Sequence, residues 1–207
     1  MTPIDPMTPT AALDEEMARA ELYGLLATLY YAPPDPEWLA QMRLAPTEAP
    51  SEGGFLEEPW RALVGVAREM GDADIAAEYA LLFGGVGKPA VYLFGSYYQS
   101  GFLNEKPLAA LRGELAELGL SRDEAMSETE DHIAYLCEVM RYLIAGDDAG
   151  VSNLTRQHAF FSTHIQPWVA RLCDALQANP QARFYCALAE LSRAFMAVEA
   201  QGFDMLD

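Results

Sequence analysis

Apolar residues recur every three or four positions along almost the whole chain, and no segment of comparable length alternates apolar with polar residues. This spacing gathers the apolar side chains on one face of a helix, and that face must be buried against other helices. It predicts helices near residues 11–31, 37–44, 60–70, 75–83, 108–118, 133–143, 153–163, 167–176 and 184–198. We therefore expect an all-α fold, with about eight or nine helices around one core in a single domain spanning residues 1–207.

Several helix boundaries are predicted from capping residues. Asp72 or Asp74 is expected to cap the helix that begins beside it. Ser127 and Glu130 form an S-x-x-E pattern ahead of an apolar run, which predicts a capping box for that helix. Gly202 is expected to close the last helix.

Three segments interrupt the helical pattern. Residues 1–10 contain three prolines and are expected to be flexible, and residues 45–54, rich in Pro, Glu and Gly, are expected to form a mobile loop. Residues 84–95 read GGVGKPAVYLFG, which is incompatible with a regular helix. We interpret this glycine-rich segment as a functional loop. The run at 90–94 is the nearest approach to a strand, and it is too short to seed a sheet.

The net charge of the chain disfavours some classes of binding partner and favours others. The 207 residues include 13 Lys and Arg against 31 Asp and Glu, which gives a net charge of −18. Broad nucleic-acid binding needs a basic surface, and so does adsorption to an anionic membrane. A surface this acidic attracts basic peptides instead.

The terminal sequence and the cysteines predict a cytoplasmic protein. The first ten residues contain no Lys or Arg, so they do not resemble a secretory signal. No run approaches the ~20 apolar residues that a membrane-spanning helix needs. Three widely spaced cysteines without a CxxC pair are typical of buried thiols in a reducing compartment.

Two weak patterns leave an enzyme open as the alternative. Glu128, Glu130, Asp131 and His132 could form a metal site, although the spacing differs from the Glu-x-x-His pairs of di-iron bundles. Residues 84–89 could cradle phosphate, although Pro89 stands where a phosphate loop carries Ser or Thr. The alternative function is therefore a helical metalloprotein or a nucleotide-binding enzyme.

Four short segments, in order along the chain, carry a family resemblance. They read EYALLF at 78–83, FGSYY at 94–98, ETEDHI at 128–133, and Phe160 followed by His164-Ile-Gln-Pro-Trp168. Together they resemble the TorD/DmsD family of cytoplasmic redox-enzyme maturation chaperones, and most closely its DmsD-like branch. Thr129 departs from the family pattern, which has Pro at that position.

The resemblance implies an all-helical chaperone that is not an enzyme and carries no cofactor. Its expected partner is the catalytic subunit of a molybdenum-cofactor oxidoreductase of the DMSO/TMAO reductase type. The chaperone is expected to bind that subunit's twin-arginine leader peptide and to assist cofactor insertion before export. The export machinery is a further candidate partner, the chain is expected to be a monomer or a homodimer, and neither nucleic acid nor stable membrane insertion is expected.

The candidate peptide-binding residues divide by chemistry. Glu128 and Asp131 are candidates for binding guanidinium groups, because carboxylates accept bidentate hydrogen bonds from Arg. His132 is expected either to orient the Asp131 region or to contact the peptide directly. The remaining candidates are Tyr79, Leu82, Phe83, Tyr92, Phe94, Gly95, Ser96, Tyr97, His164 and Trp168. We expect the glycine-rich loop to pack against the helix start at Asp131 and His132, and Glu114 and Glu117 to be surface acids.

Overall fold

The computed structural model describes residues 9–47, 54, 56–84, 87–123, 126–148 and 150–205. Ten helices occur within these residues, and they confirm the predicted all-α class: α1 (Pro9–Tyr31), α2 (Pro36–Leu44), α3 (Glu57–Glu69), α4 (Asp72–Phe83), α5 (Gly95–Ser100), α6 (Lys106–Glu117), α7 (Ile133–Ala145), α8 (Leu154–His164), α9 (Gln166–Gln177) and α10 (Phe184–Asp204). Phe94 and His132 form one isolated antiparallel bridge, and no strand is found in the part of the chain described.

The core is organised around two groups of packed helices. α1 lies along α7, and α10 lies against α9 and α3. Tyr23, Leu26 and Leu29 on α1 are fully or almost fully buried, as are Leu136 and Met140 on α7. Their spacing of three residues on α1 and four on α7 is the period predicted from the sequence. These groups fix where the C-terminus of α1 and the N-terminus of α7 meet.

The start of α7 corrects the predicted capping box. The N-cap residue is His132, and its Nδ1 accepts a hydrogen bond from the backbone N–H of Ala134 at 3.2 Å. Glu130 instead accepts hydrogen bonds from the Arg112 guanidinium, at 3.0 and 2.9 Å, and its pKa is lowered by that guanidinium despite the opposing effect of burial. The box prediction was wrong because the chain turns at Glu130 and Asp131 and enters the helix only after His132.

Two further boundary predictions were also wrong. The N-cap of α4 is Gly71, without a side-chain hydrogen bond, so Asp72 and Asp74 lie in the first turn, where their charge favours the helix dipole. Gly202 does not end α10, which continues to Asp204.

The start of α10 is capped from a distant part of the chain. The buried carboxylate of Glu78 accepts hydrogen bonds from the backbone N–H groups of Arg183, Phe184 and Tyr185, at 2.9, 3.2 and 2.9 Å. These are donors of the first turn, which have no partner inside the helix. Glu78 therefore ties the middle of α4 to the start of α10.

Parts of the three predicted irregular segments lie outside the described residues, namely 1–8, 48–53 and 85–86. Pro9 and Thr10 already belong to α1. Residues 87–94 contain no helix, as predicted for the glycine-rich loop. No helix in the described ranges is long and apolar enough to cross a bilayer.

Candidate functional site

The end of the glycine-rich loop is held to the start of α7 by backbone hydrogen bonds. The N–H of Gly95 donates to the Asp131 carbonyl at 2.9 Å, and the N–H of Ile133 donates to the Leu93 carbonyl at 2.8 Å. The expectation that this loop packs against the Asp131–His132 helix start is confirmed. Two of the four motif segments therefore lie next to each other in space, although Phe94 and Glu128 are 34 positions apart in the sequence.

Asp131 fixes both sides of this junction. Its Oδ2 accepts a hydrogen bond from the Ser96 N–H at 2.8 Å, and its Oδ1 accepts one from the Thr129 hydroxyl at 2.6 Å. Together with its carbonyl, it satisfies the first two backbone donors of α5. Only 3% of Asp131 is exposed. The carboxylate predicted to bind guanidinium is thus enclosed behind the site surface.

The His132 ring lies among aromatic side chains. Its centroid is 5.1 Å from that of Phe94, 5.7 Å from Tyr135 and 6.5 Å from Tyr31. Burial lowers the pKa of His132 from 6.5 to about 4, and the nearby Asp131 charge offsets only part of that effect. At neutral pH the ring is uncharged. Because Nδ1 accepts the Ala134 hydrogen bond, the ring proton is assigned to Nε2.

A groove of about 80 Å³ opens beside this ring. Its walls come from the C-terminal ends of α1 and α4, from the loop after α4, and from the segment before α7. The groove is lined by Tyr31, Tyr79, Phe83, Pro89, Val91, Leu93, Phe94, Glu128 and His132. Glu128 carries the sole formal charge among these residues at neutral pH. Two helix C-termini, which carry partial negative charge, also end here.

Tyr79 joins the two helix ends that form one wall. Its hydroxyl donates to the carbonyl of Tyr31 at 2.7 Å, with the Tyr30 carbonyl at 3.3 Å. Its ring packs edge to face on Phe83, with centroids 5.0 Å apart. Burial raises the pKa of Tyr79 to about 12, and the Glu128 charge adds to that rise. Tyr79 therefore both lines the groove and holds Tyr31 in place.

The other predicted site residues do not line the groove. Leu82 is fully buried in the core, Gly95 and Ser96 are buried at the start of α5, and Tyr92 stacks on Tyr97 with ring centroids 3.9 Å apart. Among the predicted residues, the structure brings five to the groove surface: Tyr79, Phe83, Phe94, Glu128 and His132.

Trp168 and His164 support the site from behind. A Cβ added to Gly95 would lie 2.9 Å from Nε1 of the fully buried Trp168, so glycine permits this close approach. The indole N–H donates to the His164 carbonyl at 2.6 Å. His164 Nε2 lies 2.7 Å from a carboxylate oxygen of Glu114, so Glu114 is a half-buried partner and not the free surface acid predicted. Glu117 is exposed, as predicted.

Several groove residues carry no clear functional signal in the sequence. Tyr31 is 44% exposed and faces Tyr135, with ring centroids 5.7 Å apart. Its only signal was its position at the end of a helix, just before Pro33 and Pro34. Pro89, Val91 and Leu93 belong to the glycine-rich segment, where no periodicity shows which side chains face inward.

The acidic cluster considered as a metal site is divided among different partners. Glu130 pairs with Arg112, Asp131 with Ser96 and Thr129, and His132 with the backbone of its own helix. Within the described ranges, no three His, Cys, Asp or Glu side chains are grouped as a metal ion requires.

Comparisons with known proteins agree with the motifs. A profile of the family described as nitrate reductase delta subunit matches residues 53–174, more than half of the chain. Chaperone protein TorD of Photobacterium profundum is 27% identical over 64% of this chain and 65% of the relative. TorD of Vibrio parahaemolyticus is 23% identical over 61% of this chain and 63% of the relative. TorD of Vibrio cholerae is 24% identical over 91% of this chain and 93% of the relative. The chain thus spans slightly less than two thirds of the first two relatives.

Proposed function

The chain belongs to the nitrate reductase delta subunit family, in which it matches chaperones named TorD, and we propose that it binds the twin-arginine leader peptide of a redox enzyme as a maturation chaperone. The family assignment agrees with the TorD/DmsD resemblance of the motifs, while membership of the DmsD-like branch stays a prediction.

The observation that carries this proposal is the charge pattern of the groove. Glu128 is half-buried at its mouth, and the described lining residues include no Lys or Arg. The carbonyl ends of α1 and α4 add partial negative charge nearby. A guanidinium group gains hydrogen bonds and charge pairing in this environment, whereas an anionic ligand is repelled.

The groove is small compared with enclosed small-molecule sites, and its lining suits an apolar segment next to a cation. Its volume of about 80 Å³ is well below the ~300–1,000 Å³ that enclosed ligand sites usually offer. Phe83, Val91 and Phe94 present apolar surface next to Glu128. A leader with arginines followed by an apolar segment matches this sequence of charged and apolar surfaces.

The wider role follows from the same proposal. The client is the catalytic subunit of a molybdenum-cofactor oxidoreductase of the DMSO/TMAO reductase type, held in the cytoplasm while its cofactor is inserted. Release of the leader then permits export.

Titration calorimetry with a synthetic leader peptide tests the proposal. We expect the wild-type protein to bind a peptide with an Arg-Arg pair and an apolar segment, and to bind its Lys-Lys counterpart more weakly. Phe94→Ala removes a groove wall and should weaken binding about tenfold, or about 1.4 kcal/mol. Phe102→Ala is the matched control, because Phe102 is 70% exposed and does not line the groove.

Thermal melts of both variants show whether folding is retained. No binding of the Arg-Arg leader by the wild-type protein would refute leader recognition. Equal losses in Phe94→Ala and Phe102→Ala would refute the assignment of the groove.

A further inference from the structure

We propose that Glu128 alone supplies the carboxylate that binds the leader guanidinium, while Asp131 is a positioning residue that acts through the backbone it holds. This inference rests on the proposed leader binding and divides two acids that lie three residues apart. It replaces the expectation from the sequence that both carboxylates contact the peptide.

Asp131 is enclosed by burial and by its hydrogen bonds. One carboxylate oxygen accepts from the Ser96 N–H and the other from the Thr129 hydroxyl, at 2.8 and 2.6 Å. Its carbonyl accepts from the Gly95 N–H at 2.9 Å. With 3% of the residue exposed, a guanidinium could reach this carboxylate only by displacing the start of α5.

Those contacts place the groove walls. Phe94 immediately precedes α5, and His132 immediately follows Asp131. By holding Gly95 and Ser96 to the turn before α7, Asp131 fixes the distance between the Phe94 and His132 rings, whose centroids lie 5.1 Å apart. Loss of these bonds would separate the two walls.

Glu128 has the opposite character. It is half-buried, it lines the groove, and its carboxylate accepts a hydrogen bond from the exposed Ser127 hydroxyl at 3.2 Å. The backbone around Glu128 is also held, because the Arg122 guanidinium donates hydrogen bonds to the Glu128 carbonyl at 3.2 Å and to the Met126 carbonyl at 2.8 Å. The backbone is thereby oriented while the carboxylate remains at the groove surface.

The two roles predict different responses to loss of charge. Asparagine at position 131 keeps an oxygen that accepts from Ser96 and an amide group that hydrogen-bonds the Thr129 hydroxyl. Alanine keeps neither. A positioning residue therefore tolerates Asp131→Asn but not Asp131→Ala, whereas a guanidinium ligand fails with both.

The experiment measures affinity for the synthetic Arg-Arg leader at several salt concentrations, with thermal melts of each variant. We expect Glu128→Gln to lose about tenfold in affinity, to retain its melting temperature and to show a weaker salt dependence. The affinity of Asp131→Asn should stay within about threefold of the wild-type value, with an unchanged salt dependence. Asp131→Ala should bind the leader more weakly and melt at a lower temperature than the wild-type protein. Glu117→Gln, which changes an exposed acid on α6, is the control for net charge.

Each other outcome identifies what has failed. An Asp131→Asn protein that melts normally but binds as weakly as Glu128→Gln would show that Asp131 contacts the guanidinium. Full affinity in Glu128→Gln would remove Glu128 as the ligand. If the wild-type protein does not bind the leader at all, the proposed function fails and this inference fails with it.

Discussion

At the scale of single residues, His132 combines two roles that sequence patterns treat separately. Its ring caps α7 through Nδ1, and the same ring forms part of the groove between Phe94 and Tyr31. Replacing this residue therefore affects helix stability and binding together. Asn is the substitution that separates the two roles, because it is among the preferred N-cap residues and has no imidazole ring.

The buried ring also predicts a pH-dependent stability. Unfolded chains protonate His132 below pH 6.5, while the folded chain keeps it neutral down to about pH 4. The unfolded state thus binds more protons in this interval, and the free energy of unfolding falls as the pH drops from 6.5 toward 4. A pKa lowered from 6.5 to about 4 corresponds to about 3 kcal/mol of lost stability at the acidic end.

Denaturant unfolding of wild type and His132→Asn at closely spaced pH values measures this contribution. His132→Asn should show a shallower fall over the interval, since its side chain does not titrate. His158→Asn is the matched control, because it removes a second histidine, on α8, outside the groove. Parallel curves for wild type and His132→Asn would contradict a neutral buried imidazole.

At the scale of helices, Glu78 belongs to a family motif, and its role in the structure is to link α4 to the start of α10. Three backbone N–H groups at the start of α10 donate to its carboxylate. Each buried donor left without a partner costs about 1–3 kcal/mol. We expect Glu78→Ala to lower the free energy of unfolding by at least ~3 kcal/mol, and Glu78→Gln, which keeps one acceptor oxygen, to lose clearly less.

Chemical denaturation of both variants provides the measurement. Leader affinity, determined on the folded fraction at low temperature, should change little, because Glu78 does not line the groove. Glu190→Ala is the control, as Glu190 is an exposed acid on α10. Equal stability of Glu78→Ala and Glu190→Ala would show that the cap is energetically unimportant.

Helix periodicity predicted the elements better than it predicted their ends. α1 and α7 follow directly from apolar spacing, because burial against a neighbour is what stabilises each of them. The capping box predicted at Ser127 and Glu130 is absent because α7 begins only after His132, and the Glu130 carboxylate pairs instead with Arg112, 18 positions earlier in the chain. The prediction that Gly202 ends α10 was wrong because a helix interior tolerates one glycine at a cost of about 1 kcal/mol. Short sequence patterns predict helix ends poorly where a capping or pairing residue comes from a distant part of the chain.

At the scale of the whole molecule, the charge of −18 predicts how a basic leader arrives. Long-range attraction raises the association rate and is screened within about 8–10 Å at ordinary ionic strength. We expect the association rate of the Arg-Arg leader to fall about tenfold or more from low to high salt, while its dissociation rate changes little.

Stopped-flow mixing with the Arg-Arg and Lys-Lys leaders separates attraction from recognition. Both peptides carry the same charge, so their association rates should show the same salt dependence. The Lys-Lys complex should dissociate faster, because an ammonium cannot form the bidentate contact of a guanidinium. Salt-independent association would contradict electrostatic steering.

The site itself was only partly visible in the sequence. Both the loop that ends at Gly95 and the helix start at Asp131 and His132 interrupt or begin a helix and carry family motifs, which predicted that they pack together. The two backbone hydrogen bonds between Leu93–Gly95 and Asp131–Ile133 agree. Exposure is not visible in the sequence, so the candidate peptide-binding residues include Asp131 and Trp168, although both are buried. Tyr31 was missed because helix packing, rather than local sequence, brings the end of α1 to the groove.

The groove is built from helix ends that are not secured equally. The starts of α5 and α7 are joined by hydrogen bonds of Asp131, of His132 and of the Leu93 backbone, whereas Tyr31 at the end of α1 is held by the Tyr79 hydroxyl and by ring contact with Tyr135. Helix ends with fewer anchors fray at lower free energy than the helix interior. We therefore expect the starts of α5 and α7 to move less than the half-exposed Tyr31 side chain at the end of α1. For the proposed leader, we expect the arginine pair to meet the part of the groove formed by the starts of α5 and α7, and apolar segments of differing size to be accommodated beside Tyr31.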